Sequence, residues 1–157
     1  MMKHTILILF LFLSLLCHGQ SYKFFTTDRE LSSSLINKIY QDRNGMIWIA
    51  TEDGLNRYDG AKFITYKHDP ENEYSLCHNY VRVLYEDSKG RLFVGTYNGI
   101  QLYDPETDSF SARAQWEDGK TFDSNIMSIL ERRNGEIWVP GNNLCTITIT
   151  QGKLTAH

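Results

Sequence analysis

The stretch Asp42 to Gly60, DRNGMIWIATEDGLNRYDG, sets three glycines among carboxylates and short apolar bursts. Glycine-rich loops cradle phosphates, because backbone N–H groups close on an anion where no β-carbon intervenes. That chemistry requires Gly-x-Gly-x-x-Gly, or Gly-x-x-x-x-Gly-Lys followed by Ser or Thr, opening a helix, and the chain has neither pattern. Asp42, Asp59, Asp87 and Asp104 form a second set, carboxylates that could hold calcium, but they lack the alternating oxygen spacing of a calcium loop. His68 and His78 share a polar segment with Asp69, Glu71 and Glu73; they match no recognised metal-ligand spacing, and a solvated loop accounts for them. No histidine, acid and nucleophile stand in a recognisable order. The residue types therefore lead to no catalytic residue, no metal ligand and no cofactor. Aromatics are more informative: Tyr66, Tyr74, Tyr97, Trp116 and Phe122 fall near expected loops or strand ends, beside Asp, Asn and Arg. Such faces stack on a sugar or peptide while the polar neighbours hydrogen-bond to it. Tyr66, Tyr74, Tyr97 and Trp116 are the candidate ligand-binding residues, with loop packing as the competing explanation.

The chain has 157 residues and a formal net charge of −3, room for one modest domain. No basic stripe is present to follow a nucleic-acid backbone. Lys3 and His4, the apolar run Ile6 to Cys17 and the exit Cys17-His18-Gly19-Gln20 read as a secretory signal peptide over 1–20, too short for a comfortable permanent membrane anchor. Export leaves Cys77 and Cys145, enough for one disulfide but not for a disulfide framework, and the sequence leaves their pairing open.

Beyond that segment the chain repeats itself. Gly45, Gly90 and Gly135 lie 45 residues apart, as do Trp48, Phe93 and Trp138; Leu31 precedes Leu76 by the same step. The approximate copies are 31–75, 76–120 and 121–157, within a region spanning 21–157. A period of this length marks a repeated supersecondary unit. Each copy offers alternating or fully apolar runs bounded by turn dipeptides: Leu35–Gln41, Met46–Thr51, Leu55–Tyr58 and Lys62–Tyr66 in the first. The second offers Tyr80–Glu86, Arg91–Thr96, Ile100–Tyr103 and roughly Ser109–Ala112, the third Ile126–Glu131, Glu136–Val139 and Leu144–Ile149. Four short antiparallel strands per step make one propeller blade. The expected fold is all-β, an incomplete propeller of about three four-stranded blades. His68–Asn79 and Gln115–Asn125 are expected as polar loops between blades, and Tyr22–Thr27 as an additional outer strand. Turn glycines at 45, 54, 90, 99 and 135 supply positive φ, Asp42 and Asp87 bond the turns after them, and Thr51 and Thr96 close the second strands. Trp48, Phe93 and Trp138 are expected as wedges between blades.

The run Asp42-x-x-Gly45-x-Ile47-Trp48-Ile49-Ala50-Thr51-x-x-Gly54-Leu55-Asn56-Arg57-Tyr58-Asp59 resembles the two-component regulator propeller repeat. The second copy keeps Asp87, Gly90, Thr96, Gly99, Tyr103 and Asp104 but carries Phe93 in place of tryptophan. The third keeps Gly135 and Trp138, has Arg132 where the acid is expected and Pro140-Gly141 where the small residue and threonine are expected, and its next turn is one residue short. The resemblance implies the extracytoplasmic sensor region of a Bacteroidetes hybrid two-component protein, in the periplasm of a relative anchored in the inner membrane. It implies glycan-derived ligands, and signalling by a histidine kinase that this chain does not contain, so no enzyme activity is expected here. Three blades do not close a propeller, so the expectation is an N-terminal fragment whose partners are an oligosaccharide and either the remaining blades or a homodimer partner. A secreted propeller-type binding or scaffold protein, or a fragment of an extracellular propeller enzyme, is the alternative.

Overall fold

The computed structural model describes residues 23–140 and 143–157; the leader expected at 1–20 lies outside them, as does Gly141. Three sheets follow one another along the chain, antiparallel except for one strand of the third. The first contains β1 (Ile36–Gln41), β2 (Ile47–Thr51), β3 (Gly54–Tyr58) and β4 (Phe63–Tyr66). The second contains β5 (Val81–Glu86), β6 (Leu92–Thr96), β7 (Gly99–Asp104) and β8 (Ser109–Phe110). The third is built from β10 (Leu130–Glu131), β11 (Ile137–Pro140), β12 (Leu144–Thr150) and β13 (Lys153–Ala156), with β9 (Gln115–Trp116) paired parallel to β13. The described residues contain no helix. Each of the first two sheets is a meander in strand order, as expected of a blade.

The first two blades superimpose in register. Ala50 pairs with Leu55 and Thr51 with Gly54; forty-five residues later Gly95 pairs with Ile100 and Thr96 with Gly99. Both inner strands shift register at the same point, between Ile36 and Lys38 and between Val81 and Val83. The third blade departs where its sequence departs. Pro140 has no N–H to give the ladder, and the first strand shrinks from the expected Ile126–Glu131 to the two residues of β10. Pro140 pairs with Leu144, so the spacing at this pair is one residue shorter than between Ala50 and Leu55 or Gly95 and Ile100 at the same step.

Three corrections concern the outer edges. Residues 23–27 form no strand: Phe25 packs its ring on Tyr58 and Phe63, at 5.2 and 4.9 Å, against a sheet that already has four strands. The third blade gains β13, whose Leu154 and Ala156 are buried. The segment from Gln115, expected as a polar loop, supplies β9 to the outer edge of β13, and Phe110 N–H donates to Tyr74 O in the second blade. Backbone from the preceding linker thus covers edges that would otherwise template aggregation.

The core lies between the sheets. Trp48, Ala50 and Leu55 of the first blade meet Leu76, Val81, Leu84, Leu92, Val94 and Phe110 of the second. Phe93 and Ile100 of the second meet Ile126, Ile129, Ile137 and Val139 of the third. Trp48 and Phe93 are wedged at successive seams. Trp138, at the same step, lies half-buried on the far face of the third blade, with Arg132 over its ring at 5.6 Å. Hydrogen bonds knit the seams as well: Gly54 N–H donates to Asn79 O at 2.7 Å and Gly99 N–H to Ser124 O at 2.8 Å. Gly54 has φ +123°, and a β-carbon there would stand 2.7 Å from the Tyr66 carbonyl oxygen, so only glycine fits.

Candidate functional site

The repeated aspartates are occupied by their own turns. Asp42 Oδ1 accepts the N–H groups of Asn44 and Met46, and its Oδ2 accepts the Trp48 indole N–H at 2.8 Å. Asp87 accepts Lys89 and Arg91 N–H in the same way, but Phe93 offers no indole donor and Arg91 Nε fills the vacant position at 2.6 Å. In the third copy Glu136 accepts both the Trp138 indole and Arg132. Asp59 and Asp104 cap the next turns, and these bonds hold both carboxyls below their ordinary pKa, with Lys62 and Ala61 N–H acting on Asp59 and the Thr107 hydroxyl on Asp104. Thr51 and Thr96 each donate to the glycine carbonyl three residues on. Of these groups Asp104 lines an outer cleft, yet its carboxyl is engaged by the turn that follows it.

Two further polar residues were not singled out from the sequence. Asn56 and Gln101 are fully buried on β3 and β7, one step apart. Gln101 Oε1 accepts Cys77 N–H at 2.7 Å while its Nε2 donates to Ser75 O and Ser111 O. Asn56 accepts Ser32 N–H and donates to Ser32 Oγ. Each amide pins the linker that enters its own blade. An amide two places after the glycine in both strands, directly behind Leu55 and Ile100, was the available signal.

The loop histidines are tied to backbone: His68 Nδ1 lies 2.6 Å from Leu76 O, and Tyr80 N–H donates to His78 Nδ1 at 2.9 Å. Burial, reinforced by the charges of His68 and Arg113, pushes His78 below the usual histidine pKa. Among the described residues no three His, Cys, Asp or Glu side chains converge to hold a metal. Cys77 and Cys145 are free, buried thiols, in different blades, and burial raises the pKa of both.

The candidate aromatics do not share one site. Tyr66 is committed to the first seam, where it stacks on Trp48 and gives its hydroxyl to Asp108 at 2.5 Å. Tyr103 also donates to Asp108, at 2.7 Å, and the Arg57 guanidinium lies over Trp48, Tyr66 and Tyr103 while pairing with Asp108 at 2.7 Å. Burial and the Asp108 bond raise the Tyr66 pKa and push Tyr103 up to about 12. Burial alone would raise Asp108, but the two phenols and Arg57 outweigh it and hold the carboxyl low. Phe122, expected near the surface, is fully buried beneath Trp116, 4.9 Å away between ring centres, and Trp116 is half-buried.

Tyr74 and Tyr97 remain exposed, at 52% and 53%. Tyr74 walls an outer cleft of about 640 Å³ with Leu102, Tyr103, Pro105 and Phe110, and shares a smaller cleft of about 270 Å³ with Tyr66. Tyr97 follows β6, next to His78 (5.6 Å) and Tyr80 (6.3 Å), with the Arg82 guanidinium 5.7 Å from its ring. These two surfaces can take a flat ring on one face and polar groups at the rim.

The architecture defines the class: blades of a β-propeller with the ring left open, held together by apolar seams and linker staples. Residues 30–53 and 75–98 match the two component regulator propeller family. Histidine kinase P4 from Formosa agariphila is 40% identical over 73 residues, 44% of this chain and 5% of that protein. The solved extracellular domain of BT3049 from B. thetaiotaomicron, described as a hybrid two component system, is similar to this chain at 28% identity and TM-score 0.70, over 86% of this chain and 20% of that one. The extracellular domain of BT4673 from the same organism matches at 22% identity and TM-score 0.67 over 88% of this chain and 21% of that one, a likeness of fold alone. The chain therefore spans about a fifth of the solved domains it resembles.

Proposed function

We propose that this chain is an extracytoplasmic ligand-sensing propeller segment of a two-component signalling protein, and that its ligands are glycan-derived. The observation that carries the reading is the similarity over 86% of the chain to the extracellular domain of a hybrid two component system. The propeller repeat is not itself catalytic, so the segment's contribution is binding. Any phosphotransfer belongs to a histidine kinase elsewhere, in keeping with the kinase named among its relatives. The glycan part rests on the exposed rings of Tyr74 and Tyr97, which suit sugar faces and stand beside hydrogen-bonding groups. In this reading the third blade's open face receives a further blade or a partner chain, and the leader at 1–20 directs export.

Calorimetry of the whole protein against a panel of neutral and acidic oligosaccharides tests the proposal. Saturable binding of at least one saccharide is expected, with loss of affinity in Tyr74→Ala or Tyr97→Ala. Binding confined to peptides would remove the glycan assignment.

A further inference from the structure

Arg82 forms no salt bridge among the described residues. It lies on β5, the inner strand of the second blade, at the step shared by Asn37 and Met127 in the neighbouring blades. Its guanidinium is 4.7 Å from the Tyr80 ring and 5.7 Å from the Tyr97 ring. No carboxylate among the described residues pairs with it, although Arg43, Arg57, Arg91, Arg113 and Arg132 all have acidic partners. The nearby Glu52 accepts the Tyr80 hydroxyl at 2.8 Å instead. Arg82 Nε is buried with no hydrogen-bond partner, and NH1 reaches only the Met127 sulfur, at 3.3 Å, a weak acceptor. The Asn125 side-chain oxygen, two residues before Met127, is also buried and unpartnered.

A guanidinium carries five donors in a planar fork and recognises carboxylate and sulfate groups through two of them at once. Held beside two phenol rings, this one has its orientation fixed before any ligand arrives. The exposed Tyr97 ring supplies an adjoining flat apolar face. We infer that Arg82, Tyr80 and Tyr97 form a subsite for an acidic sugar residue, the guanidinium taking its carboxylate or sulfate ester and Tyr97 stacking on its ring. The inference rests on the sensory reading above and deepens it by naming the chemical class of the ligand. Asn37 and Met127, the residues at the same step, carry no charge, so the feature belongs to one blade and not to the repeat.

The test is calorimetry of the full protein with digalacturonate and a sulfated disaccharide, each beside its neutral parent sugar. An acidic member is expected to bind at least tenfold more tightly than its parent. Arg82→Gln should abolish that preference, Arg82→Lys should keep part of it, and Tyr97→Ala should weaken acidic and neutral sugars alike. Thermal melts of each variant establish that it is folded; Tyr97, being exposed, is the substitution least able to perturb the fold. Equal affinity for acidic and neutral sugars, or an unchanged preference in Arg82→Gln, overturns the subsite while leaving glycan sensing intact. Failure of every saccharide to bind overturns both.

Discussion

Trp48 and Phe93 fill the same position at successive seams, and the residue two places earlier changes with them. Met46 precedes Trp48, whose indole satisfies Asp42; Arg91 precedes Phe93 and satisfies Asp87 itself. Phe93→Trp alone should cost about 1–3 kcal/mol, because Phe93 is fully buried and Arg91 already occupies the carboxylate oxygen an indole would need. Adding Arg91→Met restores the first blade's solution, so denaturant unfolding of the double variant should show less than the summed loss, with a coupling of about 1 kcal/mol. Asp108 supports a pH prediction. Tyr66 and Tyr103 have raised pKa values, so the folded chain retains phenol protons that the unfolded chain releases above about pH 10. Their contribution is complete below that pH and is lost as pH rises through the folded value, about 12 for Tyr103. Melting temperatures from pH 9 to 12 should fall in the parent protein and fall less in Tyr66→Phe with Tyr103→Phe. Asp108, held low, adds stability of the opposite sign: present above about pH 4 and lost as acid titrates it.

Within a blade, the strands follow from turn glycines and apolar runs, while the linkers depend on buried amides. Gln101 makes three hydrogen bonds to backbone groups of two linkers. Gln101→Leu keeps much of the volume and strands one N–H and two carbonyls, each worth about 1–3 kcal/mol when buried unpaired. A loss of about 3 kcal/mol is expected in urea unfolding, with faster proteolysis of the 68–79 segment. Much of this scale was legible in the sequence, because a 45-residue step and a two-residue alternation are local patterns: the meander of β1 to β4 and of β5 to β8 follows from them. The outer edges were not legible. β9 pairs with β13, whose partners lie 40 residues apart at Gln115 and Thr155, and no periodicity encodes a parallel contact between a linker and a later strand. Polarity misled at Gln115–Asn125, where Phe122 is core although its neighbours are charged or small. The candidate aromatics show the same limit: type and loop position do not reveal that Tyr66 is consumed by Arg57 and Asp108, nor that Arg82 pairs with no carboxylate among the described residues.

Across the whole molecule, each blade offers one face to its predecessor and another to its successor. Val81 and Leu84 are buried against the first blade, but Ile36 and Ile39, one step earlier, are 43% and 59% exposed. Leu130 and Leu144 at the other end are 60% and 63% exposed. These surfaces have the shape and apolarity of an internal seam cut open, and two such ends on one chain make a heterologous head-to-tail contact. Sedimentation velocity should show association of this chain that rises with concentration and recedes in Leu130→Glu with Leu144→Glu, or in Ile39→Lys. A monomer at all concentrations would show that something in the chain covers these faces. The seams also set an order in time. Trp48 meets Tyr66 and Arg57 of its own blade on one side, but its burial is completed by residues from Leu76 to Phe110 of the next. A chain threading through an export channel N-terminus first would keep each wedge waiting for the blade behind it. Maturation would run as a wave, always one blade short of the translocation front, with the newest indole or phenyl ring as the surface a holding chaperone would grip.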